Sequence, residues 1–200
     1  MARSITFFDF SSRMLLACIF TGLQCLFMST ASAARADDGT VAAPPLRAIA
    51  AIDLPRYMGT WYEIARYPNR FQKKCVGFTK ADYSILADGS VQVVNQCRLA
   101  DGSTERAVGE TRQLGSADSP RLKVRFAPAW LSLLPFVWGD YWVIDLDRDY
   151  QLVAVSEPKR DYLWVLARTP VVDATSLQAL LSRLQEQGFD LQKLQRTPQQ

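Results

Sequence analysis

The sequence predicts an all-β domain with one α-helix near its C-terminus. Eight short runs rich in β-branched and aromatic residues are separated by turn residues, a pattern typical of a sandwich or an up-and-down barrel. Asp88-Gly89 and Asp101-Gly102 suit tight hairpins, because these residues tolerate positive φ. After Pro170 the apolar period becomes helical. The runs are GTWYEIARY, FTKADYSIL, SVQVVNQC, ERAVGETRQL, RLKVRFA, DYWVIDLD, QLVAVSEP and YLWVLART.

The predicted helix has recognisable start and stop signals. Asp173 or Thr175 is the expected N-cap, and Gly188 lies just beyond the expected C-terminus. Its apolar face consists of leucines at helical spacing, namely Leu177, Leu180, Leu181 and Leu184. We therefore expect one amphipathic helix to pack outside the β-structure.

The first 36 residues have the layout of a secretory signal peptide. Arg3 and Arg13 precede an apolar run that gives way to small residues in STASAARA. Cleavage is expected near Ala34 or Asp37. Lipoprotein processing at Cys18, which follows a passable lipobox, and an uncleaved membrane anchor are the alternatives.

The rest of the chain is predicted to form a flexible leader, residues 37–53, and one domain, residues 54–200. Removal of residues 1–36 takes away three basic and one acidic side chain, so the formal charge falls from +3 to +1. Such a nearly neutral protein has no electrostatic reason to bind nucleic acid. The chain also has no histidine, which removes the usual general base, haem ligand and commonest zinc ligand. We expect no cofactor, no metal site and no enzymatic activity.

Three motifs carry a family resemblance. They are GTWYEIARYPNRF at Gly59–Phe71, DLDRDY at Asp145–Tyr150 and YLWVLART at Tyr162–Thr169. In this order they resemble the three sequence signatures of the lipocalins, most closely the branch of the bacterial lipocalins and apolipoprotein D. The resemblance spans Leu54–Pro198. It implies an eight-stranded antiparallel up-and-down β-barrel with one C-terminal α-helix packed outside, and a binder of apolar ligands.

The same resemblance implies a closed end for the barrel. In an up-and-down chain the three motifs fall at one end, and in the family the tryptophan closes that end while the arginine packs across its ring. These residues are assigned structural work rather than ligand contact. They are Gly59, Trp61, Asp145, Asp147, Tyr150 and Arg168.

Candidate ligand-binding residues follow from the two-residue period of a strand, once Trp61 is taken as inward and the family's alternation is matched. Cys97 and Gly109 fall on the same face. A largely apolar lining would suit an acyl chain, whereas the alternative is a barrel filled by its own side chains. The candidates are Glu63, Ala65, Ala81, Tyr83, Val93, Asn95, Ala107, Leu122, Val124, Phe126, Tyr141, Val143, Tyr162, Trp164 and Leu166.

The connection between strands five and six is an uncharged apolar loop at the expected open end. Pro135 and the shortness of the segment argue against a transmembrane helix. Such a portal loop would contact a membrane surface or a second subunit, or pack as a lid. Its candidate contact residues are Trp130, Leu131, Leu134, Phe136 and Trp138.

Cys75 and Cys97 are the two cysteines that remain after residue 36. Export and an even count favour a disulfide. Simple ladder pairing about Asp88-Gly89 would not place them opposite each other, so the bond is expected to need a loop folded back over the mouth. The alternative is a free inward thiol at Cys97, as in the lipocalin-type prostaglandin D synthases.

The resemblance implies fatty acids or lysophospholipids as ligands, in storage or transport for membrane maintenance under stress. It also implies export to the cell envelope, either to the periplasm or in association with the outer membrane, and a homodimer. Two other functions stay open: an envelope interaction module with a filled barrel, and a cysteine-dependent lipocalin-type enzyme.

Overall fold

The computed structural model describes residues 44–199. Within that range the chain forms two α-helices, α1 (Leu54–Tyr57) and α2 (Ala174–Glu186), and short 3-10 helices at Arg70–Gln72, Ala129–Leu131, Pro135–Val137 and Leu191–Lys193. The strands are β1 (Gly59–Arg66), β2 (Cys75–Ile85), β3 (Val91–Leu99), β4 (Thr104–Gln113), β5 (Arg121–Arg125), β6 (Gly139–Leu146), β7 (Leu152–Ser156), β8 (Leu163–Ala167) and β9 (Gln195–Arg196).

The first eight strands form a closed antiparallel meander. Each pairs with its neighbour in sequence, and β1 closes the ring by pairing with both β2 and β8. The predicted eight-stranded up-and-down barrel with an outside C-terminal helix is confirmed, and β9 is an addition. The connections after β1, β3, β5 and β7 lie at one end, called the open end, and those after β2, β4 and β6 lie at the other, the closed end.

The strand β9 and the residues after it complete the barrel wall. The pairing of β1 with β2 ends at Tyr62 and Lys80, and β9 pairs with β1 beyond that point. The Phe78 amide then donates to the Pro198 carbonyl at 2.7 Å, which joins the C-terminal segment to β2. Residues 195–199 therefore fill the seam between the two strands.

The outer helix α2 covers one side of the barrel. Asp173 caps it by accepting from the Ser176 amide at 2.8 Å, which confirms one of the two predicted caps. Leu177, Leu180 and Leu184 are buried in a cluster with the outer faces of β1, β7 and β8. This burial explains why β7 is apolar on both faces and shows no alternation.

The structure differs from the expected flexible leader in the part of that segment that it describes. Leu46 and Ile52 are buried, and the Ile49 amide donates to the Val143 carbonyl at 3.0 Å. Residues 46–52 therefore pack against the barrel instead of forming a flexible segment, because two of their apolar side chains find partners there. The expected signal peptide and Cys18 lie outside the described residues. Across residues 44–199 the helices are too short or too polar to cross a bilayer.

Candidate ligand-binding barrel

Arg168 ties the closed end together. Its guanidinium lies 4.0 Å from the centroid of the Trp61 ring. Three of its nitrogens donate to backbone carbonyls, Nε to Tyr150 at 3.2 Å, Nη1 to Thr60 at 3.0 Å and Nη2 to Arg56 at 2.7 Å. Burial lowers the pKa of Arg168 from its ordinary value. The three motifs thus meet through one side chain.

The turn after β6 is held by Asp147. Its carboxylate accepts from the amides of Asp149, Gln151 and Leu152 at 3.0, 2.6 and 2.6 Å. Asp145, also expected to do structural work, faces outward and forms a bidentate pair with Arg183 of α2 at 2.6 and 2.9 Å. This pair raises the pKa of Arg183 and fastens the helix to the barrel.

Three tyrosines form the floor of the barrel. Tyr57 enters from α1, and its carbonyl accepts from Trp61 Nε1 at 2.8 Å. The Tyr141 hydroxyl lies 2.7 Å from that of Tyr57 and 2.9 Å from that of Tyr83. Burial raises the pKa of Tyr83 to about 12 and raises the pKa values of Tyr57 and Tyr141 as well.

This floor has one hydrogen-bond donor to spare. Three hydroxyl hydrogens share two hydrogen bonds, so one of them has no acceptor among the residues that the structure describes. A buried donor left unpaired costs about 1 to 3 kcal/mol. The floor is therefore suited to an oxygen atom of a water molecule or a ligand.

Above the floor, the inner wall is largely apolar. Because cross-strand partners share a face, the pairs Ala81 with Asn95, Asn95 with Ala107 and Leu122 with Tyr141 place these candidates inside. Glu63 is placed inside by its pairing with Leu166. The interior cluster contains Trp61, Ala81, Tyr83, Val91, Val93, Val143, Val153, Val155 and Leu166, with Val124, Tyr141 and Trp164 partly buried against it.

The inward prediction for Ala65 is wrong. A register shift between Glu63 and Ala65 turns Ala65 to the outer face, where it packs in the cluster under α2. Arg66 takes the inward place, opposite Trp164. The reason is a bulge, which adds one residue to the strand and reverses the alternation after it.

Glu63 is the centre of a buried polar network. One carboxylate oxygen accepts from Arg66 Nη1 at 2.6 Å and from the Thr197 hydroxyl, and the other accepts from Gln72 Nε2 at 2.5 Å. Gln72 in turn accepts from Trp164 Nε1 at 2.9 Å. The network joins β1, the first open-end loop, the C-terminal segment and Trp164 on the inner wall.

The upper half of the barrel is open. Residues 104–108 of β4 are exposed on both faces, so the inward Ala107 faces solvent although it lies on the barrel's inner side. The Phe126 ring fills the space where Gly109 lacks a Cβ atom, 2.7 Å from that position. A groove of about 360 Å³ lies beside them on the side of the wall where Gln92, Val108 and Glu110 point outward; it is lined by Leu86, Gln92, Val108, Gly109, Glu110, Arg125, Phe126, Ala127, Pro128 and Ala129. Tyr162 stacks on Trp164 near this end, with ring centroids 5.8 Å apart.

The portal loop is anchored at its base and exposed at its tip. Trp138 Nε1 donates to the Ser132 carbonyl at 2.8 Å, and the guanidinium groups of Arg112 and Arg125 lie 4.5 and 5.1 Å from its ring. Leu131 is half-buried. The exposed tip consists of Trp130 (78% exposed), Leu133 (90%), Leu134 (37%) and Phe136 (82%).

Cys75 and Cys97 form a disulfide, with Cα atoms 5.6 Å apart. The expected fold-back loop is replaced by two register shifts in β2, between Cys75 and Gly77 and between Gly77 and Lys80. These shifts move Cys75 along the ladder to the neighbourhood of Cys97. Phe78, inside the shifted segment, adopts a positive φ of 52°.

Several inward residues were not predicted. Tyr57 precedes the first strand, and Gln72 and Thr197 come from loops, so strand periodicity has no information about them. Val153 and Val155 lie in the doubly buried β7, which lacks an alternating pattern. The DLPRY segment did contain one readable signal, because Asp53 caps α1 by accepting from the Arg56 amide at 3.1 Å.

Comparison with known proteins agrees with this architecture. The family model of the lipocalin-like domain matches residues 52–199. Temperature-induced lipocalin-1 of Arabidopsis thaliana is 37% identical over 77% of this chain and 83% of its own length. The outer membrane lipoprotein Blc of Escherichia coli is 39% identical over 70% of this chain and 76% of its own length. Insecticyanin of Manduca sexta superposes with a TM-score of 0.60 over 78% of this chain and 85% of its own, at 17% identity. This chain belongs to the lipocalins, a family that binds small hydrophobic ligands.

Proposed function

We propose that this protein binds a long-chain lipid, a fatty acid or a lysophospholipid, inside its barrel, and stores or carries it in the cell envelope for membrane maintenance under stress. The observation that carries the proposal is a barrel closed and packed at one end, open at the other, and lined mainly by apolar side chains. Burial of an acyl chain there contributes about 0.8 kcal/mol per methylene. The candidate residues named from the sequence, except Ala65, would form the ligand wall.

The first experiment is a titration of delipidated protein, beginning at Asp37, with a monounsaturated long-chain fatty acid and with its lysophospholipid. Intrinsic fluorescence reports binding, because Trp164 lies on the inner wall. Saturable one-site binding supports a lipid carrier and ranks the two head groups. No response to either ligand supports the filled-barrel interaction module instead.

Two adjacent positions of β4 provide a matched pair of variants. Ala107 lies on the inner face and Val108 on the outer face, and both are exposed. Ala107→Phe places a ring in the open half of the barrel and should weaken lipid binding by roughly tenfold or more, whereas Val108→Phe should leave it unchanged. Equal affinities of the two variants would contradict ligand binding inside the barrel.

We propose no catalytic role for this chain. The enzyme alternative needs a free thiol at Cys97, and that sulfur is bonded to Cys75. Among residues 44–199, His, Cys, Asp and Glu side chains do not converge in a group of three that would hold a metal ion. A thiol-reactivity assay on the oxidised protein should detect no reactive cysteine in the domain.

We also propose that the portal loop inserts into a membrane surface. Its exposed tip is aromatic and aliphatic, and tryptophan favours the bilayer interface. Trp130→Ser combined with Leu133→Ser should lower co-sedimentation with liposomes, while Val108→Ser combined with Val171→Ser removes exposed apolar residues outside the loop and should have little effect. Equal co-sedimentation of both variants would refute insertion, and a loss of dimers in sedimentation velocity would assign the loop to a homodimer.

Localisation to the envelope is supported by the likeness to the bacterial outer membrane lipoprotein and by the signal-like residues 1–36. We propose residues 1–36 as the signal and residues 54–200 as the domain; of the expected leader, 37–53, residues 46–52 pack on the barrel and belong with the domain. Mass spectrometry of the mature N-terminus tests them: a start near Ala34 or Asp37 supports soluble export, and a diacylglyceryl group on Cys18 would show a lipid anchor.

A further inference from the structure

We infer that the open end docks on an anionic lipid surface, with the basic loop between β1 and β2 contacting lipid phosphates on the side of the mouth opposite the portal loop. This inference rests on the proposed lipid-carrier function. It adds the charge of the membrane and the orientation of the barrel on it, which the apolar portal loop does not determine.

The basic loop, residues 67–74, has three cations and no acid. Arg70, Lys73 and Lys74 are all exposed. Within residues 44–199 none of the three forms a salt bridge, and Arg70 lies instead over the ring of Phe71, which is itself 63% exposed. These charges are available to an outside partner.

The two ends of the barrel differ in charge. The open-end connections, residues 67–74, 100–103, 126–138 and 157–162, have five basic and three acidic side chains. The closed-end connections, residues 86–90, 114–120 and 147–151, have one basic and four acidic side chains. In the field of an anionic bilayer this polarity turns the mouth toward the surface.

The basic loop is fixed in place by buried contacts. Asn69 accepts from the amides of Phe71 and Gln72 at 3.1 and 3.0 Å, and Gln72 is bound by Glu63 and Trp164 inside the barrel. Phe71 packs on Tyr162 of the neighbouring loop after β7, with ring centroids 5.6 Å apart. Since the loop is already ordered, docking would cost little conformational entropy.

The position of the loop decides the orientation. In an eight-stranded meander the connection after β1 and the connection after β5 lie on opposite sides of the open end. An uncharged aromatic loop on one side and a cationic loop on the other match a bilayer, which offers both an apolar interior and phosphates. Contact on both sides places the mouth over the membrane, so a lipid can pass between bilayer and barrel.

The test uses protein beginning at Asp37 and vesicles of phosphatidylcholine with or without added phosphatidylglycerol. The test variant is Arg70→Gln with Lys73→Gln and Lys74→Gln. The control is Arg47→Gln with Arg148→Gln and Arg196→Gln, which removes the same charge from exposed positions outside the basic loop. Thermal unfolding and the vesicle-free fatty acid titration check that both variants are folded and still bind lipid.

We expect the parent to partition to phosphatidylglycerol vesicles roughly tenfold or more above phosphatidylcholine, with the excess falling as salt is raised. The test variant should lose that excess, and the control should stay within about twofold of the parent. An equal loss of this preference in both variants would show that net charge alone causes it, and would overturn the inference. So would a parent that does not distinguish the two vesicles, even where the vesicle-free titration is saturable and the proposed function stands.

Discussion

The closed end and the open end of this barrel are held by different kinds of interaction. At the closed end, Arg168 crosses the Trp61 ring and binds three backbone carbonyls, and three neutral tyrosines fill the floor. At the open end, a disulfide and the ionic network of Glu63 hold the wall, while the basic and portal loops stay exposed.

Both ends therefore contribute to stability, but only the open end keeps loops exposed for recognition. Hydrogen bonds to backbone carbonyls and packed aromatic rings stabilise the end at which the barrel is closed. The disulfide and the ionic network of Glu63 stabilise the end at which bulges, the C-terminal segment and long loops interrupt the wall. Because these interactions hold the strands together, the open end does not need the packed core that closes the other end. Substitutions at either end should therefore lower the free energy of unfolding, but through the loss of different interactions.

The largest effect should come from Glu63→Ala. Glu63 is buried and bound by Arg66, Gln72 and Thr197, so its removal leaves Arg66 without its partner inside the barrel. We expect the free energy of unfolding to fall by about 3 to 5 kcal/mol, measured by urea denaturation.

A control for this prediction is Asp140→Ala, which breaks a more exposed pair with Lys123 at 2.7 Å. It should cost under about 1 kcal/mol. A similar loss in both variants would show that Glu63 is no more than another surface ion pair. Retention of most of the stability by Glu63→Gln would assign the effect to hydrogen bonding rather than to charge.

The next effect should be loss of the disulfide. Cys75 and Cys97 are 22 residues apart in sequence, and a cross-link of that span stabilises by about 3 kcal/mol in the chain-entropy view. Cys75→Ser with Cys97→Ser should lower the free energy of unfolding by about this amount. Reduction of the parent should reproduce the shift, and an unchanged urea midpoint after reduction would show that the bond is dispensable.

The two ends also differ in how far they could be predicted. The closed end follows from local motifs: Trp61, Asp147 and Arg168 lie in segments that have the family signatures, and an even strand count brings them together. The open end depends on contacts that strand periodicity does not encode. A bulge turns Ala65 out and Arg66 in, and Thr197 reaches Glu63 from the far end of the chain. The partner of Asp145 was not predicted for a related reason, since Arg183 lies on the outer helix.

The floor tyrosines should make the free energy of unfolding depend on pH in the alkaline range. Burial raises the pKa of Tyr83 to about 12 from an ordinary value near 10. The unfolded chain therefore loses this proton first, so the stabilisation is complete below about pH 10 and is lost as pH rises toward 12. We expect Tyr83 alone to account for a fall of about 2 to 3 kcal/mol across that range, measured by urea unfolding at each pH. Tyr83→Phe should flatten the decline, and parallel curves for variant and parent would contradict the assignment.

The smallest of these effects should come from Arg168→Ala. The variant removes three hydrogen bonds to carbonyls and one contact with the Trp61 ring, but the site is partly solvated, so we expect a loss of about 1 to 3 kcal/mol in the free energy of unfolding. Arg168→Lys should recover part of it, because an ammonium group can reach some of these carbonyls but not bind all three in one plane. The relative affinity for fatty acid and lysophospholipid should be unchanged, since Arg168 lies at the end opposite the mouth. Unchanged thermal unfolding would remove Arg168 from its structural role, and a changed lipid preference would show that the closed end takes part in recognition.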